Sequence, residues 1–146
     1  MLAAGDALTL GGIEWQVMTG GGHSAEQICL YSKALNVLIA ADQILPRITP
    51  NVSLVWYKQE GDPLAAFLES LDMFRDLPDD VVVLPSHGLP FRGLHGRIQE
   101  LRDHHEERLE LILDSARTPV TATELMPVLF RRELDPRQLM LSLIHI

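Results

Sequence analysis

Three short segments constrain this chain more than any other feature of its sequence. Gly22-His23-Ser24, Ala41-Asp42-Gln43 and Pro85-Ser86-His87-Gly88 each place a metal-capable side chain where an apolar, strand-like pattern gives way to a loop. Zinc in proteins takes imidazole nitrogen and carboxylate oxygen as ligands. The sequence therefore predicts a metal site, provided that the intervening residues bring the three loops to one edge of a sheet.

The first half of the chain predicts two strand pairs. Ala7 to Leu10 and Ile13 to Val17 flank Gly11-Gly12, the dipeptide expected of a two-residue hairpin. Gln27 to Tyr31 and Asn36 to Ala40 form a second apolar pair. In each pair, the second strand ends shortly before one of the metal-capable residues.

The pattern then changes to that of a helix followed by a strand. Asp62-Pro63 is typical of a helix start, with a capping residue before a proline at the first helical position. Val81 to Leu84 is a continuous apolar run typical of a strand buried on both faces, and it ends just before His87. Between them, apolar residues recur at three- and four-residue steps and predict a helix laid on a sheet: Leu64, Phe67, Leu68, Leu71 and Phe74.

With their flanking residues, the three segments resemble the second half of the metallo-β-lactamase superfamily domain. The resemblance implies that His23 is the third ligand of a first zinc, Asp42 a carboxylate bridging two zincs, and His87 the last ligand of the second. The family's opening H-x-H-x-D-H segment has no counterpart, because no two of the six histidines have the spacing H-x-H. We expect the general base in that missing segment, so catalytic residues stay unassigned.

The resemblance implies an α/β (α+β) fold, the second half of an αββα sandwich followed by a truncated, winged-helix-like helical tail. Residues 1–93 would be the half-domain, and 94–140 a helical linker with a partial winged-helix-like domain. Residues 141–146 would be a tail that is not native protein. Half a sandwich leaves an open sheet face, which indicates that the chain is a fragment.

Each of the three residues also has a structural interpretation when taken singly. His23 could occupy a turn, Asp42 could cap a helix, and His87 could be a surface residue. The order, spacing and strand context of all three together favour the metal interpretation. His95 follows closely enough in sequence to line the mouth of the site, and we include it as a pocket residue.

The composition of the chain limits the classes of partner that it is expected to bind. The chain has 12 Lys and Arg against 20 Asp and Glu, a net charge of −8, which disfavours non-specific binding to nucleic acid. Cys29 lies in an apolar stretch and is expected to be a small buried hydrophobe rather than a nucleophile. No targeting segment or membrane-length apolar run is visible, which predicts a cytoplasmic protein without a membrane partner.

The C-terminal part is predicted to be helical. His104 and His105 are adjacent on a predicted amphipathic helix, where they point about 100° apart and cannot face one ion together. Thr121 and Glu124 have the spacing of a capping box, and a further helix is predicted from Asp135-Pro136. A local basic cluster allows the tail an alternative role in nucleic-acid binding or dimerisation, namely Arg131, Arg132 and Arg137.

The resemblance implies a two-zinc hydrolase of the glyoxalase II-like and thioesterase-like branches, acting on a small molecule. Two zinc ions about 3.5–4 Å apart lower the pKa of water and polarise the group under attack. We expect an ester, thioester or lactone as substrate, with a phosphodiester, as in the nucleases of this fold, as the alternative. Lacking half of the family's ligands, the fragment is expected to be inactive by itself.

Overall fold

The computed structural model describes residues 2–53 and 61–130, which form a mixed α+β structure around one five-stranded sheet. The five strands follow one another across the sheet in chain order. They pair antiparallel except for the last two, which run parallel. The α/β (α+β) prediction is confirmed, and the architecture is consistent with a partial metallo-β-lactamase fold.

The first hairpin joins β1 (Ala7–Leu10) to β2 (Ile13–Gly20). Gly11 and Gly12, at φ values of +60° and +77°, make the turn between them. Both angles lie in the left-handed region that a tight two-residue turn requires, which explains the Gly-Gly dipeptide. The predicted hairpin is confirmed, and β2 runs three residues further towards His23 than the pattern indicated.

The remaining strands place the loops at one edge. β3 (Gln27–Ser32) pairs with β4 (Val37–Ala41), and β5 (Val82–Pro85) lies beside β4 after a crossover. Since β2 and β4 run in the same direction and β5 is parallel to β4, the carboxyl ends of these three strands share one edge of the sheet.

Helices cover one face of the sheet. α1 (Pro63–Ser70) begins with Asp62, whose carboxylate accepts a hydrogen bond from a backbone N–H of the first turn at 2.9 Å, and it continues as a 3₁₀ helix over Leu71–Phe74. α2 (Leu94–Ser115) and α3 (Ala122–Leu129) follow. The capping box predicted at the start of α3 is confirmed.

The core lies between the sheet and these helices. Leu38, Val83, Phe67, Phe74 and Leu101 are fully buried in it. On the opposite face of the sheet, a row of aligned apolar side chains is only partly buried, which is the open face expected of half a sandwich: Leu30, Ile39 and Leu84.

Three of the sequence predictions fall outside the described residues, namely the basic cluster, the helix opened by Asp135-Pro136 and the tail 141–146. No helix in 2–53 or 61–130 has the length and apolar character needed to cross a membrane.

Candidate metal centre

Asp42 lies at the point where β4 leaves the sheet. The preceding residue, Ala41, has a φ of +48°, an unusual value for a residue with a side chain, and the β4–β5 ladder shifts register there. The Ala41 carbonyl accepts a hydrogen bond from the Ser86 N–H at 3.0 Å, which ties the exit of β4 to that of β5. This irregular strand end turns the Asp42 carboxylate towards the neighbouring loops.

His87 approaches Asp42 from the end of β5. Its Nε2 is 3.5 Å from Oδ1 of Asp42, and the side chain is 68% exposed. The hydroxyl of Ser86 donates a hydrogen bond to the same Oδ1. The loop after His87 packs tightly, since a Cβ on Gly88 would lie 2.7 Å from the Pro46 ring.

His23 approaches Asp42 from the other side. Its Nε2 is 3.6 Å from Oδ2 of Asp42, and its Nδ1 is 2.7 Å from the carbonyl oxygen of Asn51. A carbonyl can only accept, so Nδ1 carries the proton, and in the neutral ring Nε2 presents its lone pair towards the carboxylate. Metal-binding histidines are commonly oriented by such a hydrogen bond on the second ring nitrogen.

The geometry around Asp42 fits zinc in part. Each carboxylate oxygen faces a different imidazole, and two donors on one tetrahedral zinc are about 3.4 Å apart, close to both separations. This arrangement suits a carboxylate shared between two ions. Within residues 2–53 and 61–130, however, no three His, Cys, Asp or Glu side chains are grouped to hold a single ion, so each ion would find two donors here.

Arg97 on α2 braces the loop that follows Asp42. Its Nε donates to the carbonyl oxygen of Leu45 at 2.7 Å, and its Nη2 donates to that of Ile48 at 3.0 Å. The guanidinium also pairs with Glu100 at 2.7 Å, while only 12% of the arginine side chain is exposed. A planar fork of donors can satisfy several carbonyls at once, which fixes the loop on the helix.

The structure does not bring His95 to the other candidate residues. The Nε2 of the His95 ring is 2.8 Å from the carbonyl oxygen of Leu77, and the backbone N–H of His95 donates to the carboxylate of Asp79 at 3.0 Å. Leu77 and Asp79 precede β5, whereas His87 follows it. His95 therefore lies towards the opposite end of that strand, where it helps to anchor the start of α2.

His104, His105 and Cys29 occupy the interior or its border. The rings of His104 and His105 meet edge to face, and His105 packs on Phe67 with 5.8 Å between ring centroids. Burial lowers the pKa of His105 to about 4. Burial also raises the pKa of the Cys29 thiol to about 12, in keeping with a buried hydrophobe rather than a nucleophile.

Three contributors to this site escaped the sequence reasoning. Ser86 flanks His87 in the sequence, and a hydroxyl beside a predicted ligand is a usable signal for a supporting hydrogen bond. Asn51 acts through its backbone carbonyl, which no side-chain pattern reveals. Arg97 lies on a distant helix, and a lone arginine among helical charges gives no sign of its partners.

Comparisons with known proteins bear on the same region. The sequence model of the Metallo-beta-lactamase superfamily matches residues 2–87, which include all three converging side chains. No curated protein matches the chain.

Solved structures extend this likeness. A beta-lactamase domain protein from Burkholderia ambifaria is 46% identical with a TM-score of 0.93, over 97% of this chain and 42% of its own. A metallo-beta-lactamase family protein from Thermus thermophilus is 33% identical with a TM-score of 0.83, over 99% and 45%. ETHE1 from Myxococcus xanthus, at 17% identity and a TM-score of 0.58 over 82% and 53%, shares the fold alone. The chain thus spans less than half the length of the first two relatives.

Proposed function

The chain belongs to the metallo-beta-lactamase superfamily, and on that premise we propose that it is part of a zinc-dependent hydrolase acting on an ester, a thioester or a lactone. The observation that carries this proposal is the placement of His23 and His87 on opposite oxygens of Asp42. A carboxylate flanked in this way suits two neighbouring ions. Two bound zinc ions would supply Lewis-acid polarisation of the carbonyl group and a water of lowered pKa.

The chain's own residues would hold these donors in place. The Asn51 carbonyl keeps the proton of His23 on Nδ1 and leaves Nε2 to bind metal. The Ser86 hydroxyl occupies one lone pair of Asp42 Oδ1 and so orients the carboxylate between the two histidines. The high exposure of His87 leaves its side of the site open to a substrate.

Finer assignments belong to the same proposal. We place the parent protein in the glyoxalase II-like and thioesterase-like branches, with a small-molecule substrate, a winged-helix-like tail and a cytoplasmic location. The loops decide substrate choice in a fold that hosts many chemistries, so the ester class rests on the resemblance of the three segments. A homodimer is part of this proposal, and nucleic acid is not the expected partner because the chain is acidic.

The test uses the protein extended upstream, so that the remaining metal ligands are supplied. We expect zinc-dependent turnover of thioesters or lactones, and Asp42→Ala should lower it by at least about 100-fold because the shared carboxylate is lost. The double variant Arg131→Ala, Arg132→Ala is the control and should retain turnover of small substrates.

Two results would contradict this assignment. Turnover of phosphodiesters alone would make the protein a nuclease-like hydrolase of the same fold. An inert protein that binds duplex DNA, with an affinity that falls with salt and is lost in the double arginine variant, would make the tail a nucleic-acid-binding module.

A further inference from the structure

Gln43, which follows Asp42, is fully buried although its side chain is polar. Its amide nitrogen donates to the carbonyl oxygen of Gly21 at 3.3 Å and to the hydroxyl of Ser70 on α1 at 2.7 Å. The Ser70 hydroxyl in turn donates to the carbonyl of Phe67 at 2.7 Å. These hydrogen bonds satisfy the buried NH₂ group of the amide, whereas its Oε1 has no hydrogen-bond partner among the described residues. The amide of Gln43 therefore joins the exit loop of β2 to helix α1.

Gly20 shows how closely the β2 exit loop fits this amide. A Cβ on Gly20 would lie 2.5 Å from Cδ and from Oε1 of Gln43, closer than real side chains approach. The glycine thus makes room for the amide at the point where β2 ends. The two elements are packed against each other as well as hydrogen-bonded, which leaves little freedom between them.

We propose that Gln43 is a positioning residue that fixes His23 relative to Asp42 and thereby sets the metal affinity of the site. Gln43 directly follows Asp42 in the chain. Its side-chain amide donates a hydrogen bond to the carbonyl oxygen of Gly21, which lies two residues before His23. A displacement of this amide therefore changes the separation of the two metal-capable side chains. This role rests on the proposed function, because both concern the same side chains.

The test compares Gln43→Met with the wild-type chain. Methionine keeps the length of the side chain and removes the donor, so the Gly21 carbonyl loses its partner. Without metal, we expect faster backbone hydrogen exchange in residues 20–24. With zinc, we expect binding up to about 10-fold weaker, at the low end of the 10–100-fold loss for a direct partner of a metal ligand, because Gln43 acts on His23 through the loop backbone.

Leu125→Ala is the matched control, because it removes buried apolar contacts on α3 and leaves the Gln43 contacts intact. It should lower overall stability without changing zinc affinity or selectively speeding exchange in 20–24. Should Gln43→Met fail to fold, Ser70→Ala removes only the anchor on α1 and should shift both readouts in the same direction by a smaller factor.

The outcomes separate this role from the proposed function. The positioning role would be overturned if Gln43→Met exchanged its backbone hydrogens in residues 20–24 at the wild-type rate, or if it bound zinc with wild-type affinity. Faster exchange in a chain that binds no zinc even as wild type would support the positional link and overturn the zinc site. Equal zinc weakening in Leu125→Ala would show a general stability effect and also overturn the positioning role.

Discussion

Gly22 lies so close to helix α1 that a Cβ added to it would be 2.4 Å from the Cβ of Phe67. The same glycine has a φ of +86°, in the region that residues with side chains seldom adopt. The close contact with α1 and the positive φ both occur at the residue immediately before His23. The loop can therefore present this imidazole to Asp42 only because glycine precedes it.

Gly22→Ala should lower the free energy of unfolding by about 2–4 kcal/mol, because backbone strain and overpacking add together. Gly61→Ala is the control, since Gly61 has a φ of +96° but no atom of residues 2–53 or 61–130 lies within 4 Å of an added Cβ. It should lose only the strain, about 1–2 kcal/mol. Urea denaturation measures both, and equal losses would contradict the close contact with Phe67.

Metal analysis after exhaustive dialysis tests the ligand count. Three donors from three loops cannot fill two tetrahedral sites, so the chain should retain zinc weakly and at most about one ion per molecule. Asp42→Asn should abolish retention, whereas Glu14→Gln, the same change at an exposed strand position, should not. Two tightly held zinc ions per chain would disprove the ligand assignment.

The stability of the chain should depend on His105 in mildly acidic solution. Burial, His104 and Arg108 lower the pKa of His105 to about 4, whereas its unfolded value is about 6.5. Between these values the unfolded chain binds the extra proton, so this contribution is complete above about pH 6.5 and is lost as the pH falls towards 4. Its Nε2 has no hydrogen-bond partner among the described residues, in keeping with a neutral ring.

His105→Leu isolates that contribution from the titration of carboxylates. Partial exposure screens the effect, so we expect the wild type to lose about 1–2 kcal/mol more than His105→Leu between pH 7.5 and 4.5. His104→Gln removes one of the neighbours that lower the pKa of His105. This variant should therefore lose less stability than the wild type over the same pH range. Parallel stability curves for wild type and His105→Leu would refute the buried neutral imidazole.

Arg97 should be more important for stability than its surface ion pair suggests. Arg97→Lys keeps the charge but loses the fork that binds the carbonyls of Leu45 and Ile48, which should cost about 1–3 kcal/mol. Glu100→Gln breaks only the exposed pair and should change stability by less than about 1 kcal/mol. Thermal unfolding of both variants decides whether the loop contact or the ion pair dominates.

Much of the scaffold could be predicted from local sequence patterns. Gly11-Gly12 predicted the first hairpin, and Asp62-Pro63 predicted the start of α1, because each encodes its geometry within a few residues. The helical period through Phe74 was less accurate in one respect, because the chain tightens to a 3₁₀ helix after Ser70. A periodic apolar pattern does not distinguish these two helix types at a helix end.

Only part of the site could be predicted from the sequence. His23, Asp42 and His87 could be chosen by residue type and flanks, although their roles as ligands remain predictions. The contacts of Asn51, Gln43 and Arg97 depend on backbone carbonyls brought together by the tertiary fold, and carbonyls are the same at every residue. His95 was misleading for the opposite reason, since proximity in sequence did not become proximity in space.

We expect the parallel pairing of β4 with β5 to form late when this chain folds. The three hairpins of the β1–β4 meander close over short loops, whereas β5 joins only after the crossover of residues 42–81 is closed. Closing a long loop costs entropy before its contacts are gained, so we expect His87 to reach Asp42 late in folding. A metal ion held between them would then bind only molecules that have completed the sheet, and would shift the folding equilibrium towards them.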